Sequence, residues 1–306
     1  ANTTGPTPVA RAFHAAVAAG SRLFIFGGIG KLGILDDFFV LDTAADPPHW
    51  SQLQFSPGAA RPGARMATQL EAVGGAFYLF GGLSNSPAGQ VVLNDMLRFD
   101  LGLMTWTNVT DFTGVPPSPR WSFGTAVLGH TIYIFGGWNL KHSSNDLHSF
   151  DTVAKSWTLV EPGGTLYPEC GGNASDVCQG REIPAARYAM GFAALGSHRL
   201  VLFGGANYDD QKGSQAFGDF RVFDTEAQVW TTLGTAGLAP LQRGGQALVT
   251  VGQRIFLYGG KGGSATGLLN DLWVIEGPVD VAWPREGAAG YFIEVYDWDA
   301  LIIDPL

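Results

Sequence analysis

A hydrophobic run closed by two glycines occurs five times in this chain of 306 residues: LFIFGG at 23–28, FYLFGG at 77–82, IYIFGG at 132–137, LVLFGG at 200–205 and IFLYGG at 255–260. The first glycines, Gly27, Gly81, Gly136, Gly204 and Gly259, are separated by 54, 55, 68 and 55 residues. An arginine stands upstream of each: Arg11, Arg65, Arg120, Arg187 and Arg243, at 16, 16, 16, 17 and 16 residues. That constancy describes a rigid unit of two strands and a tight turn. Downstream come two acids five residues apart: Asp37/Asp42, Asp95/Asp100, Asp146/Asp151, Asp219/Asp224 and Asp271/Glu276. Each second acid is followed at 8, 6, 6, 6 and 7 residues by Trp50, Trp106, Trp157, Trp230 and Trp283. The gap from the second glycine to the first acid varies most, through 9, 13, 9, 14 and 11 residues. Rigid strands joined by one variable loop predict a four-stranded antiparallel unit, repeated radially.

Each landmark has a physical reason. Gly-Gly ends a strand where the backbone turns at positive φ or approaches a neighbour closely. One tryptophan per unit suits the wedge between adjacent twisted sheets. The second acid can cap the turn into the last strand. The arginine is read as a brace that donates to carbonyls rather than as a ligand-binding group. Composition agrees with an all-β chain: 43 Gly, 17 Pro and 12% aromatic residues, with only 15% charged.

Arginine, Gly-Gly, acid and spaced tryptophan together resemble the kelch repeat over about residues 8–285. The resemblance implies a β-propeller with one blade per repeat, expected at about 8–53, 62–109, 117–160, 184–233 and 240–285. The residues before Arg11 read as a linker, and the tail 286–306 contains a strand-like stretch, GYFIEVYDWDALII at 290–303, without Gly-Gly. These ends are too short for a complete blade of four strands. Five four-stranded blades in one domain spanning 1–306 is therefore the expectation, with six, one of them partial and built from the termini, as the alternative.

In such a blade the start of the first strand and the end of the second share a face. That face collects the variable loops 29–36, 83–94, 138–145, 206–218 and 261–270, and the insertion 160–183 that lengthens the third spacing. Kelch adaptor propellers grip peptides with the residues beside the arginine and after Gly-Gly. Carried over position by position, the resemblance nominates Trp121, Ser122, Trp138, Asn139, Tyr188, Asn207 and Lys261. Flat aromatics with Asn neighbours suit a sugar or an apolar peptide better than the acidic motifs that some kelch proteins bind with several arginines.

A net charge of −9 disfavours a nucleic-acid surface, and no apolar run is long enough to span a bilayer. No catalytic constellation is legible. The copper site of galactose-oxidase-like kelch proteins needs a crosslinked cysteine, and the two cysteines here, Cys170 and Cys178, flank the sequon at Asn173 in a Gly-rich loop. They read as a small disulfide, and with the sequons at Asn2 and Asn108 they place the chain outside the cell or in the secretory lumen. His142 and His148, six residues apart, share neither a strand face nor a helix face, so neither a metal nor a cofactor is expected. The expected function is a binding module for a protein or carbohydrate partner, as one component of a larger assembly. The alternatives are a propeller enzyme acting on a sugar, of epimerase or hydrolase type, and a cytosolic kelch adaptor.

Overall fold

The computed structural model describes residues 2–163, 182–209, 213–233, 239–263 and 267–276, and the backbone of 293–296. Cys170, Cys178, Asn173 and Trp283 lie outside the described residues. The described residues contain no α-helix and form five four-stranded antiparallel sheets. Sheet 1 is built from Ala15–Ala19, Arg22–Phe26, Phe38–Asp42 and His49–Gln52. Sheet 2 uses Gln69–Val73, Ala76–Ser86, Gly89–Asp100 and Thr105–Asn108. Sheet 3 uses Gly124–Leu128, Thr131–Phe135, Leu147–Asp151 and Ser156–Glu161. Sheet 4 uses Gly191–Leu195, Arg199–Phe203, Phe220–Asp224 and Val229–Thr232. Sheet 5 uses Ala247–Val251, Arg254–Tyr258, Leu272–Glu276 and Ile293–Tyr296. Within each sheet the strands pair in chain order, the arrangement of a propeller blade.

One boundary departs from expectation. The fourth strand of sheet 5 comes from the tail, beyond residue 285. Pro278 and Pro284 cannot donate to a ladder, whereas Phe292 to Tyr296 is rich in aromatic and β-branched residues and has the character of a strand.

A guanidinium clamp ties each sheet to its turn. Arg120 Nη1 and Nη2 donate to Asp146 Oδ1 and Oδ2 at 2.7 and 2.8 Å. Nη1 also donates to the Gly136 carbonyl at 3.0 Å, and Nε to the Ser118 carbonyl at 3.0 Å. The same set recurs as Arg11–Asp37, Arg65–Asp95, Arg187–Asp219 and Arg243–Asp271, each with the first glycine's carbonyl as a further acceptor. The second acid behaves as a cap: Asp151 Oδ1 accepts the N–H groups of Val153 and Ala154 at 2.8 Å.

Adjacent sheets are joined by backbone and by tryptophan. The second glycine donates to the next repeat's arginine carbonyl, from Gly28 to Arg65, Gly82 to Arg120, Gly137 to Arg187 and Gly205 to Arg243, at 2.8–2.9 Å. The first glycine lies so close to that carbonyl that a Cβ on Gly136 would sit 2.7 Å from the Arg187 oxygen. A side chain is excluded there, quite apart from the φ of +64°. A second ladder runs two residues after each arginine: Ala67 donates to Phe13, Ser122 to Ala67, Ala189 to Ser122 and Gly245 to Ala189, at 2.7–2.9 Å. Phe13, Ala67, Ser122, Ala189 and Gly245 all have positive φ, a strain that the repeated hydrogen bonds offset.

Trp106, Trp157 and Trp230 are buried, each against the aromatic ring that precedes Gly-Gly in the sheet before it: Phe26, Phe80 and Phe135, with centroids 6.0, 5.5 and 5.2 Å apart. Their indole N–H groups have no hydrogen-bond partner among the described residues, so these rings stabilise through buried area and ring contacts. Trp50 differs: it is half-buried and meets Phe39 of its own sheet. Trp157→Ala is expected to lower stability by about 3–5 kcal/mol through the cavity it leaves, and Trp50→Ala by much less. Urea unfolding of the two variants side by side checks this, and equal losses would show that Trp157 is not an inter-sheet wedge.

Candidate functional site

The clamp turns each Gly-Gly outward into a second tier above the sheets. There the residue after each arginine pairs antiparallel with the residue after Gly-Gly: Ala12 with Ile29, Met66 with Leu83, Trp121 with Trp138, Tyr188 with Ala206 and Gly244 with Lys261. Large flat side chains therefore fall on repeats three and four. Trp121 and Trp138 exchange both backbone hydrogen bonds, at 3.0 and 2.9 Å.

Across the boundary between these repeats the rings form one patch. Trp138 meets Tyr188 with centroids 5.5 Å apart and Tyr208 at 6.3 Å, and Trp121 meets Tyr188 at 6.5 Å. Tyr208 is 49% exposed, and the other three rings are partly exposed. Ser143 Oγ donates to Asn207 Oδ1 at 2.8 Å, which ties the loop of repeat three to that of repeat four. The same Oδ1 accepts the Tyr208 N–H, fixing the start of the hairpin Ala206–Asp209 and Gly213–Ala216. Asn139 Oδ1 accepts the N–H groups of Lys141 and His142 at 3.0 and 2.9 Å and so shapes its own loop.

Of the seven nominated residues, the structure brings together Trp121, Trp138, Tyr188 and Asn207, with Asn139 at the edge. Ser122 is buried, and its backbone belongs to the inter-sheet ladder, so its side chain is not offered to a ligand. Lys261 is exposed on repeat five and makes no ion pair or ring contact with the patch among the described residues. Tyr208 is the ring that position-matching left out. It lies three residues past Gly-Gly, on the outgoing strand of the hairpin, and its ring meets Trp138.

The two histidines do not meet. His142 is exposed and bonded to Asn139, while His148 is buried and hydrogen-bonded to Asp146 at 2.9 Å. Among the described residues no cluster of three or more His, Cys, Asp or Glu could hold a metal ion. Two cavities, of about 310 and 450 Å³, lie on the outer side between sheets 2 and 3, and both include Asn108 and Val109. Asn2 and Asn108 are exposed.

A family model described as the KLHDC2/KLHL20/DRC7 Kelch-repeats domain matches residues 1–181 and 172–285. The chain belongs to the kelch-repeat family. Its relatives include Acyl-CoA-binding domain-containing protein 4 of Arabidopsis thaliana, 26% identical over 88% of this chain and 38% of the relative. Kelch domain-containing protein 3 of Bos taurus is 26% identical over 90% of this chain and 70% of its own length. Host cell factor 1 of Rattus norvegicus is 26% identical over 84% of this chain and 12% of its own length. The chain thus spans a minor part of two of these relatives. No helix among the described residues is long and apolar enough to cross a membrane.

The kelch clamp also makes the loop face sensitive to acid. Burial alone would raise the carboxyl of Asp146, but hydrogen bonds from Arg120 and His148, with their charges, outweigh it and hold it well below the usual range. The balance is the same for Asp219 with Arg187 and Arg221, and for Asp271 with Arg243 and Trp273. Carboxyls depressed by folding stabilise the native state above their unfolded pKa of about 4, and that stability is lost as pH falls below it. Urea midpoints are accordingly expected to fall between pH 6 and pH 3, and to fall less in Asp146→Asn, whose clamp is already broken at neutral pH. An unchanged pH slope in that variant would remove Asp146 as a source of the effect.

Proposed function

We propose that this kelch chain is a binding module whose aromatic patch on repeats three and four takes a segment of a partner protein. The observation that carries the reading is the continuous set of partly exposed rings, Trp121, Trp138, Tyr188 and Tyr208, held on loops that the clamps make rigid. Rings that the core does not need and a scaffold holds in place are the usual anchors of an interface. Beside them the Asn207 amide nitrogen has no partner among the described residues and can donate to a peptide carbonyl, while its oxygen is already engaged. The same pairing of flat rings with amides supports a carbohydrate ligand as the second reading. The clamped arginines face aspartates, so their charge is not offered to an acidic ligand.

We also propose an extracellular or lumenal location, which rests on Cys170, Cys178 and the sequons. Mass spectrometry of unreduced peptides tests it, since alkylatable thiols at both positions in natively purified protein would overturn it.

The binding test uses the partner that co-purifies with the untagged protein from its source. Trp138→Ala is expected to weaken that binding by about 2 kcal/mol or more with the unfolding midpoint nearly unchanged. Phe24→Ala, at a fully buried position, should instead lower stability by about 3–5 kcal/mol. Full affinity in a folded Trp138→Ala protein would place the interface elsewhere.

A further inference from the structure

The seam between sheets 2 and 3 departs, position by position, from the seam between sheets 1 and 2. Across sheet 1 the row Val17, Phe24 and Val40 runs in register from the first strand to the third. This row belongs to the apolar cluster shared with sheet 2, and Met104, in the turn before that sheet's fourth strand, packs on the same cluster. In sheet 2 the matching row is Glu71, Tyr78 and Arg98. The match to Met104 in sheet 3 is Lys155: each stands four residues past the second acid, with φ of +54° and +50°. Valine and methionine at one seam are thus arginine and lysine at the next, and phenylalanine is replaced by tyrosine.

Where the apolar pair closes the first seam, the second opens into the cavity of about 450 Å³, a size that suits a small ligand. It lies at the turns after Val73 and Asp151, the strand ends opposite Gly-Gly, and so apart from the aromatic patch. One wall is apolar: Val73 and Phe150 belong to a buried cluster, and Tyr78 and Val109 pack against it. Arg98 and Lys155 also line the space. Each has an aspartate, yet neither is used up. Arg98 Nη1 donates to Asp100 Oδ2 at 3.0 Å, and its other guanidinium N–H groups have no partner among the described residues. Asp100 Oδ1 is committed to the turn, accepting from Gly102 and Leu103 at 2.9 Å. Lys155 Nζ donates to Asp111, a residue 70% exposed, which leaves two of its three donors. The Tyr78 hydroxyl has no partner among the described residues. Glu71 lies outside the cavity lining, and its carboxylate accepts from Thr125 of sheet 3.

We propose that this cavity between sheets 2 and 3 binds a small organic anion, a carboxylate or phosphate monoester carried on a flat apolar body. The anionic head takes the unused donors of Arg98 and Lys155, and the body covers Val73, Val109 and the ring of Tyr78. A guanidinium edge meets two oxygens of one head group at once, which gives orientation as well as attraction. In a chain of net charge −9 the overall field does not draw an anion to this place, so the two local cations supply the selectivity. A neutral ligand of the same shape would leave their unused donors unpaired as water is displaced, which costs affinity.

Benzoate and phenyl phosphate are the probes, with benzyl alcohol as the uncharged control, in an amide NMR titration. Either anion should shift the signals of Thr107, Asn108 and Thr152 saturably, more strongly at low salt than at high salt. Binding of one anion and not the other supports the site and identifies its head group. Benzyl alcohol should bind about tenfold more weakly or worse. Arg98→Val/Lys155→Met gives this seam the side chains that Val40 and Met104 supply between sheets 1 and 2, so the variant should keep its unfolding midpoint. It should weaken binding of the anion by about tenfold or more. If the double variant does not fold, Arg98→Lys carries the test, since it keeps the charge and removes the fork; it should weaken binding by about threefold or more. Unchanged affinity in the folded variant, equal binding of benzyl alcohol, or shifts confined to other residues would overturn the proposal. So would the lack of any saturable shift with either anion up to about 20 mM, where even a ligand of this size registers in a fitting cavity.

Discussion

Everything on the loop face hangs on a buried guanidinium. Each arginine joins the linker before the first strand, the first glycine's carbonyl and an aspartate at the head of the third strand. A planar fork with five donors can hold three chain segments at once and meet the carboxylate with two parallel bonds, a geometry that the single nitrogen of a lysine cannot supply. Removing one partner would leave a buried charge uncompensated, so clamp and turn stand or fall together. In repeats three to five the aspartate has an additional donor two residues on, His148, Arg221 or Trp273, which uses more of its acceptor capacity.

The clamp acts within a sheet, and the glycines and tryptophans act between sheets. With the arginine fixed, its carbonyl points at the preceding sheet and accepts from the second glycine there. The first glycine must then pass close to that oxygen, which no side chain permits. Tryptophan fills the wedge farther out, where twisted sheets diverge. Trp50, which meets no ring of a preceding sheet among the described residues, is only half-buried.

Much of this was legible in the chain itself. Constant spacing from arginine to Gly-Gly announced two paired strands, and the spaced tryptophan announced the wedge. The partner of the arginine was not legible. Arginine and aspartate are separated by 26, 30, 26, 32 and 28 residues, since the variable loop lies between them. A period hides any contact that spans its variable part. The candidate site was read in a similar measure. Trp121, Trp138 and Tyr188 could be nominated because they sit beside landmarks, but Ser122 sits beside the same landmark with its side chain buried. Tyr208 joins the patch by a ring contact with Trp138 across two repeats, which spacing does not encode.

The sequence by itself determined the architecture of the repeat: which residues pair as strands, where the backbone must turn at glycine, and which family the chain resembles. These are local matters, set by alternation, by Cβ sterics and by short constant distances. Only the tertiary structure decided which aspartate meets which arginine, which aromatics share a surface, and that the fourth strand of sheet 5 is drawn from the tail. Those outcomes depend on how far each sheet is rotated against its neighbour, a quantity summed over many weak contacts and carried by no single motif.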